Sequence, residues 1–134
     1  MNSSGPIKTV EGLERAGLLG QRDRDALADV AARYAVALTP TVAGLIDRAD
    51  GSDPIARQFV PDAAELIVAP EERADPIGDE AHSPVQGIVH RYPDRVLLKA
   101  VHVCPVYCRF CFRREMVGPQ GLGTLDPKAM SAAF

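Results

Sequence analysis

From Asp23 to Leu38, "DRDALADVAARYAVAL", the apolar residues Leu27, Val30, Ala31, Tyr34 and Leu38 recur at helical spacing, which predicts a helix with one buried stripe. The next stretch, "TPTVAGLIDRADG", predicts a second helix: Thr39 as N-cap, Pro40 in the first turn, Val42, Leu45 and Ile46 on one face, and Gly51 as the stop. A short third helix is expected around "DPIARQFV". Beyond it Pro61, Pro70, Pro76 and Pro84 punctuate a stretch rich in Asp, Glu and Gly, which predicts an ordered, meandering connector. The pattern changes at "RVLLKAVHV", Arg95 to Val103, where a dense Val/Leu run with little alternation predicts a strand buried on both faces. After "GPQGLG", Asp126 and Pro127 are expected to cap and begin a helix in "DPKAMSAAF".

Strand, loop and helix in that order give an α/β reading, with residues 1–82 as a helical region and connector and residues 83–134 as the start of a second domain. A single doubly buried strand needs neighbours on both sides, so the sequence reads as the front end of something larger.

Composition adds little to this picture: 46% apolar and 25% charged residues are ordinary for a folded chain. A net charge of −3 with both signs interspersed argues against a nucleic-acid partner. No apolar run approaches the roughly 20 residues that span a bilayer, and there is no basic-then-apolar leader, so the expectation is a cytoplasmic chain without a membrane partner.

All three cysteines fall in "CPVYCRFCFRR", as Cys104, Cys108 and Cys111. An odd number at this spacing suits a disulfide framework poorly, because close pairing strands one thiol. Three readings of the loop compete. A zinc site would need a fourth ligand, His102 or another, and usually shows two separated C-x-x-C knuckles. Three buried core cysteines would be the bland case. A [4Fe-4S] cluster held by three thiolates would leave one iron open for chemistry.

With Phe110 just before its third cysteine, the C-x3-C-x2-C loop resembles the signature loop of the radical S-adenosyl-L-methionine (SAM) enzymes. The longer stretch "SPVQGIVHRYPDRVLLKAVHVCPVYCRFCFRREMVG", Ser83 to Gly118, resembles the matching segment of their lysine 2,3-aminomutase family, and "DPIARQFVPD" and "DPIGDEAHSPV" fit that family more loosely. The resemblance implies the beginning of a partial (β/α) barrel, with the cluster loop after its first strand. It implies that Cys104, Cys108 and Cys111 hold a [4Fe-4S] cluster whose open iron binds SAM, and that Phe110 lies near the adenine. It also implies pyridoxal 5′-phosphate (PLP), with Arg91, Tyr92 and Arg95 on its phosphate and Arg113 on the substrate α-carboxylate. Guanidinium forks suit both anions.

The implied activity is isomerisation of a small amino acid, L-lysine to β-lysine foremost, by moving nitrogen from C2 to C3. Implied partners are the amino acid and an electron donor such as flavodoxin or ferredoxin, and self-association into a homo-oligomer is compatible. In the family the PLP lysine and the residues that recognise the distal amine lie downstream, beyond Phe134 here, and such barrels run to about 250 residues. Within the same chemistry, a relative making β-lysine for an elongation factor, or one acting on glutamate or arginine, fits the same loop. From a different class, so does a non-catalytic iron–sulfur or zinc module. Arg109 and Arg114 carry no assigned role, His90 and His102 read as structural, and Lys99 reads as part of the strand.

Overall fold

The computed structural model describes residues 5–20, 24–118 and 123–134; Asp23 of the first expected helix and residues 119–122 of "GPQGLG" lie outside these. The chain opens on a helix that the hydrophobic pattern did not flag, α1 (Val10–Arg15), where the Thr9 hydroxyl accepts from Gly12 N–H at 3.1 Å and Val10 and Leu13 turn inward. Six residues are too few for a periodic signal, but Thr9 is an ordinary N-cap and marks the start.

Helix α2 (Arg24–Arg33) buries Leu27 and Val30 as the stripe requires, then stops before Tyr34. Tyr34 and Leu38 are buried too, but outside the helix: the chain extends, and Leu38 exchanges backbone hydrogen bonds of 2.8 and 2.9 Å with Ile7. Val36, Ala37 and Leu38 are consecutive and all buried, an arrangement that no single helix face can deliver. Helix α3 (Pro40–Leu45) starts as expected, the Thr39 hydroxyl accepting from Val42 N–H at 3.3 Å. It ends at Leu45, well short of Gly51, and Leu45 is exposed while Ala43 and Ile46 are buried. The cause is a run of aspartates that capture backbone N–H groups: Asp47 from Ala49 at 2.9 Å, Asp50 from Ser52 at 2.8 Å, and Asp53 from Asp47 at 3.3 Å. Asp53 then caps α4 (Pro54–Phe59) through Ala56 N–H at 2.7 Å.

These four helices enclose the main core, in which Leu13, Leu18, Leu27, Leu38, Ile46 and Val60 meet. A 3-10 turn, Ala63–Leu66, leaves that core under a reciprocal capping box in which Asp62 accepts from Ala64 N–H and Glu65 accepts from Asp62 N–H, both at 2.9 Å. A second 3-10 turn, Glu80–His82, leads to the sheet.

The strand reading changes here. Of Arg95 to Val103, only β2 (Arg95–Leu98) is a strand, and it pairs antiparallel with β1 (Ile88–Tyr92), in the register Ile88 with Leu98, Val89 with Leu97 and Tyr92 with Arg95. Burial on both faces does not hold, since Arg95, Val96 and Leu97 are exposed, and Val101 and Val103 lie at 58% and 60% of full exposure. The hairpin follows from "YPDR", a Pro-Asp turn that returns the chain beside itself. Val101 makes a lone antiparallel bridge to Thr124, leading to α5 (Pro127–Ala132), whose cap is Asp126 as expected.

Two glycines fix close approaches. Gly87, at φ +88°, would place a Cβ 2.5 Å from Leu125 Cδ2, and Gly118, at φ +105°, would place one 2.6 Å from Ala35 Cβ. Gly118→Ala is therefore expected to cost about 1–3 kcal/mol. Gly44→Ala, in α3 with open space around the site, should raise stability by about 0.4–1 kcal/mol. Urea unfolding of the two variants beside the parent chain gives the comparison, and the opposite signs are the checkable content.

Candidate cofactor site at the cysteine loop

Residues 104–113 contain no helix or strand, so their backbone must find partners elsewhere. At the base of the loop, His102 N–H donates to Gly123 O at 2.6 Å and Leu125 N–H to Ala100 O at 2.9 Å. Further on, Tyr107 N–H reaches Ala37 O at 3.0 Å and Arg109 N–H reaches Gln58 O at 2.7 Å. The Arg109 side chain completes the docking: Nε and Nη2 fork onto Glu65 at 3.0 and 2.7 Å, and Nη1 donates to Ala35 O at 2.7 Å. Arg109 is only 7% exposed, so the loop is clamped to the helical layer through a buried ion pair. Two successive turns follow, Cys111 N–H to Cys108 O at 3.2 Å and Arg114 N–H to Cys111 O at 3.1 Å.

The thiols lie on this docked segment. Cys104 is exposed, Cys108 and Cys111 are half-buried, and none is in a disulfide. Among the described residues no three Cys, His, Asp or Glu side chains converge closely enough to hold a metal ion. The donor set itself fits a thiophilic iron–sulfur centre, being three unpaired thiols on one short loop. Phe110 and Phe112 flank them at 71% and 51% exposure, and Phe110 borders a groove of about 530 Å³ shared with Cys111, Arg73 and Arg114.

The basic residues divide into two groups. Arg113 Nε donates to Asp79 Oδ2 at 2.9 Å, Lys99 Nζ stands 3.8 Å from the same oxygen, and Arg91 Nη2 stands 3.8 Å from Oδ1 while donating to Ile77 O. Asp79 is thus a buried carboxylate at 4% exposure facing three cations. Its own backbone is held by Asp75, which accepts from Glu80 N–H at 2.8 Å and from Asp79 N–H at 2.9 Å. Those N–H groups, Glu80 first, hold the Asp75 carboxyl below the usual carboxylate range. Tyr92 and Arg95 are elsewhere, stacked on each other 4.8 Å apart at the hairpin end, with Arg95 3.6 Å from Asp94. Of the expected phosphate and carboxylate binders, Arg91 and Arg113 are brought together, and Tyr92 and Arg95 form a separate exposed pair.

His102 is buried, and burial first, then the charges of Lys99 and Arg113, push its imidazole below its ordinary value. Its ring is therefore neutral near pH 7, as a structural histidine should be. Sequence reasoning missed three contributors: Glu65, Asp79 and Tyr34. Tyr34 is buried between the guanidinium groups of Arg33 and Arg114, at 4.8 and 4.3 Å, with a hydroxyl that has no hydrogen-bond partner among the described residues. Burial raises its phenol above the ordinary value. Only Glu65 carried a readable signal, the D-x-x-E spacing of a capping box.

No family model matches the chain. Curated proteins do. It is 40% identical over 112 residues to an L-lysine 2,3-aminomutase of Clostridium subterminale, covering 84% of this chain and 27% of that one. It is 38% identical over 128 residues to an L-lysine 2,3-aminomutase of Acetoanaerobium sticklandii, covering 96% and 31%. It is 33% identical over 117 residues to a glutamate 2,3-aminomutase of Clostridioides difficile, covering 87% and 28%. These matches put the chain among relatives of the amino-acid 2,3-aminomutases, which are isomerases. It belongs to the lysine 2,3-aminomutase family, and spans between 27% and 31% of the length of these relatives.

Breaking the buried clamp has a definite expected cost. Arg109→Ala strands Glu65 and should lower stability by about 3–5 kcal/mol, whereas exposed Arg95→Ala should change it by less than about 0.5 kcal/mol. Arg109→Met combined with Glu65→Met should recover most of the loss, because the charges are then removed together. Denaturant midpoints for the three variants decide the matter.

Proposed function

We propose that this chain carries the cluster loop and anion-binding residues of a SAM- and PLP-dependent amino-acid 2,3-aminomutase acting on L-lysine. The observation that supports the reading is the placement of three free thiols and the Arg113 guanidinium on one loop, with Arg91 and Lys99 gathered at the same carboxylate. In this reading Cys104, Cys108 and Cys111 hold a [4Fe-4S] cluster, Phe110 lies against the adenine of SAM, Arg91, Tyr92 and Arg95 bind the PLP phosphate, and Arg113 binds the substrate carboxylate. When bound, the cluster with SAM supplies the radical that removes a substrate hydrogen, and PLP carries the migrating nitrogen.

The chain's own residues bind and orient. Arg113 offers a charge-assisted fork to a carboxylate, which fixes the amino acid's direction. Arg91, held at its Nη2 by Ile77 O, offers its remaining N–H groups to a phosphate. Arg109 keeps the loop against Ala35, Ala37 and Gln58, so that the thiol positions are set relative to the helical layer. The reading places the protein in the cytoplasm with a flavodoxin or ferredoxin as electron donor; among the described residues no helix is long and apolar enough to cross a membrane. Glutamate is the second substrate to try, because the glutamate 2,3-aminomutase named above is similar over most of this chain.

Anaerobic reconstitution with iron and sulfide should load four irons per chain in a cluster whose electron paramagnetic resonance spectrum changes on adding SAM. Cys104→Ala, Cys108→Ala or Cys111→Ala should each abolish it. A preparation that takes up one zinc and no iron sinks the reading. Arg91→Ala should weaken PLP binding about ten- to a hundredfold, the equivalent of about 1.5–3 kcal/mol for a charge-assisted bond. Arg113→Ala should leave PLP in place. Absorbance of bound PLP and chromatography of β-amino acids on the same preparations separate the two.

A further inference from the structure

We propose that Asp79 is the positioning residue of the Arg113 fork: it grips the guanidinium by Nε and leaves the two Nη nitrogens presented to a ligand carboxylate. The inference rests on the reading that Arg113 receives the substrate carboxylate. A guanidinium has more than one edge able to fork a carboxylate, and a flexible arginine samples them all. Here Nε is taken by Asp79 Oδ2 at 2.9 Å, and neither Nη makes a hydrogen bond to any described residue. The guanidinium carbon also lies over the Phe112 ring, 4.8 Å from its centroid, a second contact that limits how far the group can swing.

Asp79 is itself immobilised. Its N–H donates to Asp75 at 2.9 Å, its carbonyl accepts from Ser83 Oγ at 2.8 Å, and its side chain is 6% exposed. Asp79 faces Arg113, Lys99 and Arg91, and even with the neighbouring Asp75 carboxylate counted the cations outnumber the carboxylates by one. That surplus attracts an anion, while Asp79 decides how the arginine meets it.

Removing Asp79 separates the two effects, because they have opposite signs. By Coulomb's law alone, Asp79→Asn makes the site more positive and should tighten the binding of any anion. If Asp79 positions the fork, the same change should weaken amino-acid binding in spite of the added positive charge. Arg91 keeps its Ile77 carbonyl in that variant, so phosphate binding should hold or improve.

The test uses the whole chain labelled with nitrogen-15 arginine, read by nuclear magnetic resonance, with L-lysine and pyridoxine 5′-phosphate as probes. In the parent chain the Arg113 Nε–H signal, identified by its loss in Arg113→Lys, should exchange with water at least tenfold more slowly than that of exposed Arg95. In Asp79→Asn that protection should vanish, L-lysine should bind at least tenfold more weakly, and pyridoxine 5′-phosphate should bind as before or more tightly. Asp79→Glu should recover part of the lysine affinity. Equal or tighter lysine binding in Asp79→Asn, with binding still dependent on Arg113, overturns the positioning role and leaves the carboxylate reading intact. Lysine binding indifferent to Arg113→Lys, or absent in the parent chain, overturns that reading and the inference with it. Parallel loss of both probes marks Asp79 as merely structural. Should Asp79→Asn not fold, an Arg113 Nε–H that exchanges as fast as Arg95 in the parent chain is sufficient to reject the proposal.

Discussion

The buried pair of Arg109 and Glu65 is the interaction on which the site depends. It ties the cysteine loop to two other segments at once, since Arg109 also donates to Ala35 O and Glu65 also accepts from Asp62 N–H. A buried guanidinium is tolerable only when its donors are met, and here the carboxylate fork and the carbonyl meet them. Such a pair adds little net stability over apolar residues of similar size, yet it specifies one docking geometry because any other leaves a charge stranded. The irregular loop thereby acquires a fixed place without secondary structure of its own.

The second constraint is electrostatic. Burying Asp79 among Arg91, Lys99 and Arg113 draws residues from the connector, the sheet and the loop towards one point. The hairpin supplies Arg91 while sending Tyr92 and Arg95 to its exposed end. The hairpin thus carries Arg91 to Asp79 while its sequence neighbours Tyr92 and Arg95 pair with each other instead.

What was legible in the sequence was whatever is decided locally. Thr39 and Asp126 cap the helices that follow them because a side-chain oxygen two or three residues from an N–H needs no distant partner. The spacing of the cysteines was plain for the same reason. What failed was decided at a distance. Leu38 continues the stripe of α2 in number but belongs to Ile7 in space, and Arg109 has no assignable role until Glu65 is placed beside it. Val96, Leu97, Val101 and Val103 look like a doubly buried strand, yet their covering is a property of neighbours that a local pattern does not contain. Asp79 sits in a Pro- and Gly-punctuated connector where no periodicity could single it out.

Three unpaired thiols on a partly open loop have a redox arithmetic of their own. Joining any two as a disulfide leaves a third, so oxidation in air cannot bring the loop to a closed, inert state. The residual thiol, most readily that of exposed Cys104, is then available to a second molecule. The geometry that offers soft donors to a metal centre is, for the same chain handled in oxygen, a source of covalent heterogeneity and cross-linked dimers.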